Sequence, residues 1–440
     1  MVHTKNRLIK TKPFLYRYKN LKKKLLKIEP KSMHGQLPVA WKNASNFNVV
    51  DIYGNKFIDF TSTIFVANIG HANKNLIKNL KKTLNNNFLH SYNYIHKIRE
   101  KYVSSLLKFS GKNFKKAFLL SSGTEATEAA LKLMRLNGIK NKKRKLGIIC
   151  FEGNWHGRTM GAQLMSNNLN QKKWIGFKDK NIHFFKFPYP WIYDDKKSLK
   201  LLELSFKKLK EKIDIKKDVC GAMLETFQGW GAVYYPRSFV QKFVKICRQN
   251  NIVVTFDEIQ SGFARTGYNF GYEHYKVKPD LICCAKGMGG GFPVSGVIGK
   301  KKIMDLPNLG DMSSTNSANP LACTAGLSVL EEITKKKLVS KTAKKGKILK
   351  ERLNKIKKKM NDNILHISSQ GLIGAIVFDK KIKNLNKKLT DVAIDCLNEG
   401  LIIVHTGRES IKIGPPLTIT EDALEEGLSV LENNIVKNLI

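Results

Sequence analysis

"DLICCAKGMGGGFPVSGVIG", residues 280–299, carries the reading on which this chain turns. An apolar run of buried-strand type leads directly into Lys286, and a glycine cluster follows. Lysine is rarely buried unless something pairs with it or reacts with it. A desolvated amine has a lowered pKa and becomes a nucleophile toward an aldehyde. The glycines would then let the backbone pass close to a bound group.

Outward from this stretch, short apolar runs alternate with helical patterns from about residue 115 to 300. "KAFLLSSG", "KLGIICFEG", "DVCGAMLETF", "NIVVTFDEIQ" and "DLICCAKG" read as strands, with "EATEAALKLMRLNG" and "SFVQKFVKICRQN" as helices between them. This rhythm predicts an α/β fold whose mostly parallel sheet is covered by helices on both faces, with chemistry gathered where strands end. Residues 340–440 differ: a lysine-rich helix, strand-like "GLIGAIVFD" and "GLIIVHTG", and a last helix from "EDALEEGLSVLENNI". The expected division is an N-terminal arm and part of a small domain at 1–65, a large domain at 66–330, and a small domain completed by 331–440. The smaller lobe is thus α+β and built from both termini.

With 440 residues, 42% of them hydrophobic, the chain can bury a large core. Its formal charge of +43 raises a nucleic-acid-binding reading. The lysines, however, are scattered over "KNLKKTLNNN", "KNKKRK", "FKKLKEKIDIKKD" and "LNKIKKKMN", with no glycine-aromatic RNA signature and no zinc-finger pattern. A solvated basic surface is expected, and no specific nucleic-acid partner. No apolar run approaches the roughly 20 residues that cross a bilayer, so no membrane partner is expected. The first 30 residues are basic, without the apolar core of a secretory signal, and read as an arm on the folded body, with an organellar targeting peptide as the alternative. Seven cysteines, odd in number and never spaced CxxC, read as reduced thiols of a cytoplasmic protein, with neither a zinc site nor a disulfide frame.

Three further motifs bear chemistry. In "SSGTEATEAALKLMR" a helix starts at a strand end near Ser122, Gly123 and Thr124, where unpartnered amides and the helix dipole suit a phosphate. The same residues are also an ordinary Ser/Thr cap followed by Glu. "FEGNWHGRTMGA" sets Trp155 beside His156 and Arg158: a flat π-face for a heteroaromatic ring and a guanidinium for a carboxylate, or equally a core Trp and a surface Arg. "VVTFDEIQSGFARTG" ends an apolar strand in Asp257 and Glu258, with Gln260 beyond. A carboxylate there needs a cation or good hydrogen bonds. A protonated pyridine nitrogen or a structural salt bridge would serve. Together with Lys286 the set describes pyridoxal phosphate.

The order and spacing of "SSGTEATEAALKL", "FEGNWHGRT", "ETFQGWGA", "FDEIQSGFARTG", "AKGMGGGFP" and "SSTNSANPLACTAG" resemble the class III aminotransferases, the ω-amino-acid transaminases of fold type I. The resemblance covers about residues 35–430 and implies a homodimer, or a tetramer built from it, with active sites at the subunit interface. It makes Lys286 the Schiff-base lysine, Asp257 the partner of the pyridine nitrogen and Gln260 a neighbour of the ring hydroxyl. Ser122, Gly123 and Thr124 would bind phosphate, Trp155 and His156 would adjoin the ring, and Thr315 would reach the phosphate from the other subunit. Arg158 matches an arginine that holds the substrate's distal carboxylate.

The chain also departs from the pattern. Trp230 stands where many ω-transaminases have a glutamate, and Lys412 where they have the arginine that pairs with it. Ile64 and Phe65 occupy the place of a tyrosine found in ornithine-type enzymes. Arginine's planar fork is lost with Lys412, so pyruvate joins 2-oxoglutarate as the candidate acceptor. The expected reaction is ping-pong transamination of an ω-amino acid or related amine, with a donor of β-alanine or 4-aminobutyrate type. The alternatives are a semialdehyde aminomutase or a decarboxylating transaminase of the same fold, and, more remotely, a basic nucleic-acid-binding protein.

Overall fold

The computed structural model describes residues 1–10 and 15–440; residues 11–14 of the basic N-terminal arm lie outside the described residues. The chain packs as two compact units, Lys74–Ala343 and a unit made of Met1–Asn73 with Lys344–Ile440.

The larger unit is built on a seven-stranded sheet. Its strands are β1 (Lys116–Leu120), β2 (Gly147–Phe151), β3 (Ile182–Phe185), β4 (Val219–Glu225), β5 (Val253–Asp257), β6 (Leu281–Cys284) and β7 (Ser295–Gly299). In space they run β1-β7-β6-β5-β4-β2-β3. All neighbours are parallel except β7, which is antiparallel to both β6 and β1. Every residue of β2, β4, β5, β6 and β7 is buried. Such strands are covered on both faces, which is why they read as continuous apolar runs rather than alternating ones.

The antiparallel β7 was not anticipated from the sequence. Only ten residues separate Cys284 from Ser295. A parallel return needs a crossover of a dozen or more residues, so the chain can only fold back on itself. Gly290 and Gly291 take φ of +58° and +113° in that reversal, and a Cβ on Gly289 would strike the carbonyl of Phe292. The glycine cluster is therefore explained by the return itself, whatever else it permits.

One sheet face carries α1 (Gly123–Lys140), whose Ala126, Ala130, Leu133 and Met134 join Ile148, Met223, Leu281 and Val297 in the core. Near the other edge, rings of Phe151, Phe185, Phe206 and Phe243 meet edge to face, bringing in α2 (Asp195–Lys210) and α3 (Arg237–Gln249). Helix α4 (Pro320–Lys335) packs on the helices Lys74–Asn85 and Lys97–Ser110, for example through Thr324 and Thr83 (2.9 Å). That packing keeps α4 whole within the larger unit and sets the division at 343/344, past the 330/331 read from the sequence.

The unit made from both termini holds a six-stranded and a four-stranded sheet. In the first, Leu401–Ile402 lies parallel to Lys56–Asp59. The second contains Ile364–Gln370, Ile373–Phe378, Ser410–Ile413 and Val404–His405. Val2–His3 pairs with Leu8–Ile9, and the Arg7 guanidinium bonds Glu426 (2.6 Å) and the Glu399 carbonyl (2.5 Å). The start of the basic arm is thus a strand pair tied to residues from the other end of the chain.

Candidate active site

Register decides where the carboxylates of the larger unit meet. Asp257 pairs with Glu225 on β4 and with Cys283 on β6, so the three stand level at the carboxyl ends of adjacent parallel strands. Lys286 follows three residues after Cys283 and opens a short 3-10 turn with φ of +45°. A lysine held in the left-handed region is strained, and such strain collects at functional sites. Its side chain is half-buried. Desolvation holds the amine below the usual lysine range. The Arg158 guanidinium acts in the same direction, while Asp257 and Glu225 oppose it.

Asp257 is buried. Its Oδ2 receives His156 Nδ1 (2.9 Å), and its Oδ1 accepts the Ile259 amide (3.1 Å). The His156 backbone is fixed in turn, its amide donating to Ser166 Oγ (2.8 Å) and its carbonyl accepting from Thr127 Oγ1 (2.8 Å). The buried carboxylate therefore has two fixed donors, and each oxygen keeps a further lone pair for a cationic ring N–H. Glu225, also buried, accepts the Trp155 amide (3.0 Å) and the Gly229 amide (3.1 Å), and so ties the turn after β2 to the segment after β4. Trp155 is half-buried, and the Arg158 guanidinium lies 4.8 Å from its ring centroid.

At the start of α1, Glu125 reaches back to the amides of Ser121 (2.9 Å) and Ser122 (2.8 Å). The cap reading of this motif is thus realised, while the amides of the helix's first turn, Gly123 and Thr124 among them, keep no intrahelical acceptor. Thr124 Oγ1 meets Thr159 Oγ1 (2.7 Å), which links α1 to the Trp155–Arg158 turn. A Cβ at Gly123 would press on Ile259 and Ala285, so the helix start lies against the residues flanking Asp257 and Lys286. Gln260 lies against Gly229.

The larger unit thus gathers Lys286, Asp257, His156, Trp155, Arg158, Gln260 and the Ser122–Thr124 turn. Thr315 is exposed on its own chain, and its carbonyl accepts from His90 (3.0 Å). Trp230 donates from Nε1 to Gln228 Oε1 (2.9 Å). Within the terminal unit, Ser62, Thr63, Ile64 and Phe65 form a left-handed turn with φ of 47°, 52°, 59° and 68°. Phe65 is buried where a Cβ on Gly414 would collide with its ring, and Lys412 Nζ sits 4.8 Å from the Phe65 centroid. Ile64 is exposed.

Two carboxylates were underread from the sequence. Glu225 ends β4 as Asp257 ends β5, a signal the apolar strand before it already carried. Glu258 is fully buried and accepts four hydrogen bonds: Thr226 Oγ1 (2.5 Å) and Tyr272 N (2.6 Å) on one oxygen, Ser261 Oγ (2.7 Å) and Gly271 N (2.8 Å) on the other. Burial pushes this carboxyl up to about 7, against those four bonds.

An amine that burial holds below the usual lysine range, a buried carboxylate with spare lone pairs, an indole face and a helix start whose first amides have no intrahelical acceptor fit pyridoxal phosphate in its chemical parts. Residues 30–435 match the family model for Aminotransferase class-III. The chain is 33% identical over 401 residues to the mitochondrial acetylornithine aminotransferase of Candida glabrata, covering 89% of this chain and 88% of that protein. It is 31% identical over 398 residues to a probable 4-aminobutyrate aminotransferase of Bacillus subtilis, covering 87% and 89%. Among solved structures, the acetylornithine aminotransferase of Elizabethkingia anophelis superposes with a TM-score of 0.78 at 25% identity, over 96% of this chain and 99% of that one. Sheet, site and relatives agree: the chain belongs to the class-III aminotransferases, pyridoxal-phosphate-dependent transferases of fold type I.

Proposed function

We propose that the protein moves the terminal amino group of an ω-amino acid to a keto acid, pyruvate or 2-oxoglutarate, with donors of the acetylornithine and 4-aminobutyrate kind for which its relatives are named. The observation that carries this reading is Lys286, its amine held below the ordinary range beside Asp257 and Glu225 at aligned strand ends. Bound pyridoxal phosphate supplies a ring that draws off the charge left when a proton leaves the carbon bearing the amine. The chain's own residues do the rest. Lys286 would hold the cofactor's aldehyde carbon and, once released from it, would move the proton at the carbon bearing the amine. Asp257, steadied by His156, keeps the ring nitrogen protonated. The Ser122–Thr124 amides hold the phosphate, with Thr315 acting from a second copy in a homodimer. Trp155 would cover the ring and Gln260 would stand beside its hydroxyl. Arg158, spread over Trp155 and close enough to Lys286 to depress its pKa, takes the donor's carboxylate.

The test is a set of separated half-reactions. Protein saturated with pyridoxal phosphate is mixed with N-acetylornithine, ornithine, 4-aminobutyrate or β-alanine, the visible band is followed, and pyruvate or 2-oxoglutarate is then added to restore it. Borohydride should fix the cofactor to Lys286. A band that no ω-amino acid bleaches, or a label on another lysine, refutes the proposal.

A further inference from the structure

Helix α1 carries a carboxylate that no step above uses. Glu128 stands one turn along from Thr124 on the same face of the helix, and both are half-buried. Against that face lies the turn "HGRTMGA", residues 156–162. A Cβ on Gly157 would strike the Thr124 side chain and one on Gly161 the Glu128 carboxylate, so two absent side chains let the turn come this close. Polar contacts hold it there. Thr127 Oγ1 donates to the His156 carbonyl (2.8 Å), and Thr124 Oγ1 meets Thr159 Oγ1 (2.7 Å). Glu128 Oε1 accepts both the Thr159 hydroxyl (2.5 Å) and the Ala162 amide (3.0 Å).

Counting hydrogens fixes the direction of this chain of bonds. The Ala162 N–H can only donate, so Glu128 Oε1 serves as an acceptor and takes the single hydroxyl hydrogen of Thr159 as well. At the 2.7 Å contact Thr159 Oγ1 must then accept, and Thr124 supplies its own hydrogen. We infer that Glu128 is a positioning residue which, through Thr159, turns the Thr124 hydroxyl hydrogen away from the cofactor's phosphate and leaves that phosphate to the backbone amides. The inference rests on the aminotransferase reading above and adds to it two residues that touch no substrate. The oxygens of an ionised phosphate only accept, and Thr124 Oγ1, its hydrogen spent, has nothing to give them. Were that hydrogen turned to the phosphate, two hydroxyl oxygens would face each other at 2.7 Å with no hydrogen between them. A hydroxyl chain that ends on a carboxylate is also polarised along its length, each bond strengthening the next. Glu128 therefore ties the start of α1 to the Trp155–Arg158 turn with a hydrogen that the phosphate would otherwise claim.

The experiment compares pyridoxamine phosphate, which carries the phosphate but forms no bond with Lys286, with pyridoxamine, which lacks the phosphate. Full-length protein loaded with either ligand is dialysed to equilibrium, and ligand fluorescence gives the dissociation constant. Thr124→Ala should raise the constant for pyridoxamine phosphate by less than about threefold in the wild-type chain, because the amides remain. In a Thr159→Val or Glu128→Ala background the Thr124 hydrogen is released to the phosphate, and the same Thr124→Ala change should cost about tenfold. In a Glu128→Gln background, where the amide oxygen must still meet the Ala162 N–H, the cost should return to its wild-type size. Pyridoxamine should show no such dependence on background. The larger cost appearing already in the wild-type chain, or one and the same cost in every background, overturns the inference. A general loosening of the turn adds equally to both members of each comparison and cannot imitate the pattern. Wild type that holds pyridoxamine as tightly as pyridoxamine phosphate would instead overturn the phosphate assignment, and the aminotransferase reading with it.

Discussion

Glu258 offers a test of how burial and hydrogen bonding compete beside Asp257. Four donors converge on its carboxyl group, which favours the ionised form, while complete burial opposes it and prevails, setting the group at about 7 against an ordinary 4.5. The folded value lies above the unfolded one, so between about pH 4.5 and 7 the native state holds a proton that the unfolded chain has lost. The stability tied to this group is whole below that window and is lost as pH rises through it. At about 1.4 kcal/mol per pKa unit the loss amounts to about 3 kcal/mol. Glu258→Gln keeps the shape, cannot ionise and removes the slope. It presents one backbone N–H with an N–H of its own, at a constant cost of about 1–3 kcal/mol. Urea unfolding of both proteins at a series of pH values, with pyridoxal phosphate held fixed, should show the variant gaining about 3 kcal/mol on wild type between pH 4.5 and 8. A difference that stays flat with pH would mean that the four donors keep Glu258 ionised throughout, and would refute the argument from burial.

Three other outcomes are expected. Asp257→Asn should still take up the cofactor but lose on the order of a hundredfold or more in the half-reaction, read by stopped-flow absorbance, because a preorganised charge facing the ring nitrogen is gone; wild-type rates would mean that nitrogen has another partner. Arg158→Ala should raise the apparent dissociation constant of 4-aminobutyrate about tenfold or more while sparing a simple amine such as propylamine, since a charge-assisted contact is lost only where an acid is present; equal loss for both donors would remove Arg158 from the carboxylate. Ala264 sits at φ +69°, after Phe263 at +56°. Ala264→Gly should therefore raise the urea midpoint by about 1 kcal/mol equivalent, and no gain would show that the surrounding loop compensates the strain.

Much of the larger unit could be read locally. Strands buried on both faces must be continuously apolar, so β4, β5 and β6 announced themselves, and a charged residue closing such a run marks a strand end where chemistry gathers. Lys286 and Asp257 were visible for that reason. β7 was hidden because "VSGVIG" carries two glycines and no periodicity of its own; its direction follows from the shortness of the link after Cys284 rather than from its residues. The left-handed turn at Ser62–Phe65 was equally silent, since four residues with side chains take positive φ there only because the fold around Gly414 holds them.

The sequence by itself determined the residue types the chemistry needs and the strand or helix end on which each stands, because those follow from burial and periodicity along a short window of chain. Tertiary structure alone decided which of them meet. The level alignment of Glu225, Asp257 and Cys283 is a matter of strand register, and His156 comes to Asp257 across 101 residues. Trp230 likewise meets Tyr189 and Trp191 from a segment some forty residues away along the chain. Side chains far apart along the chain become partners through close approach of separate segments, and the free energy of that approach comes from packing of the whole sheet, which no local pattern encodes.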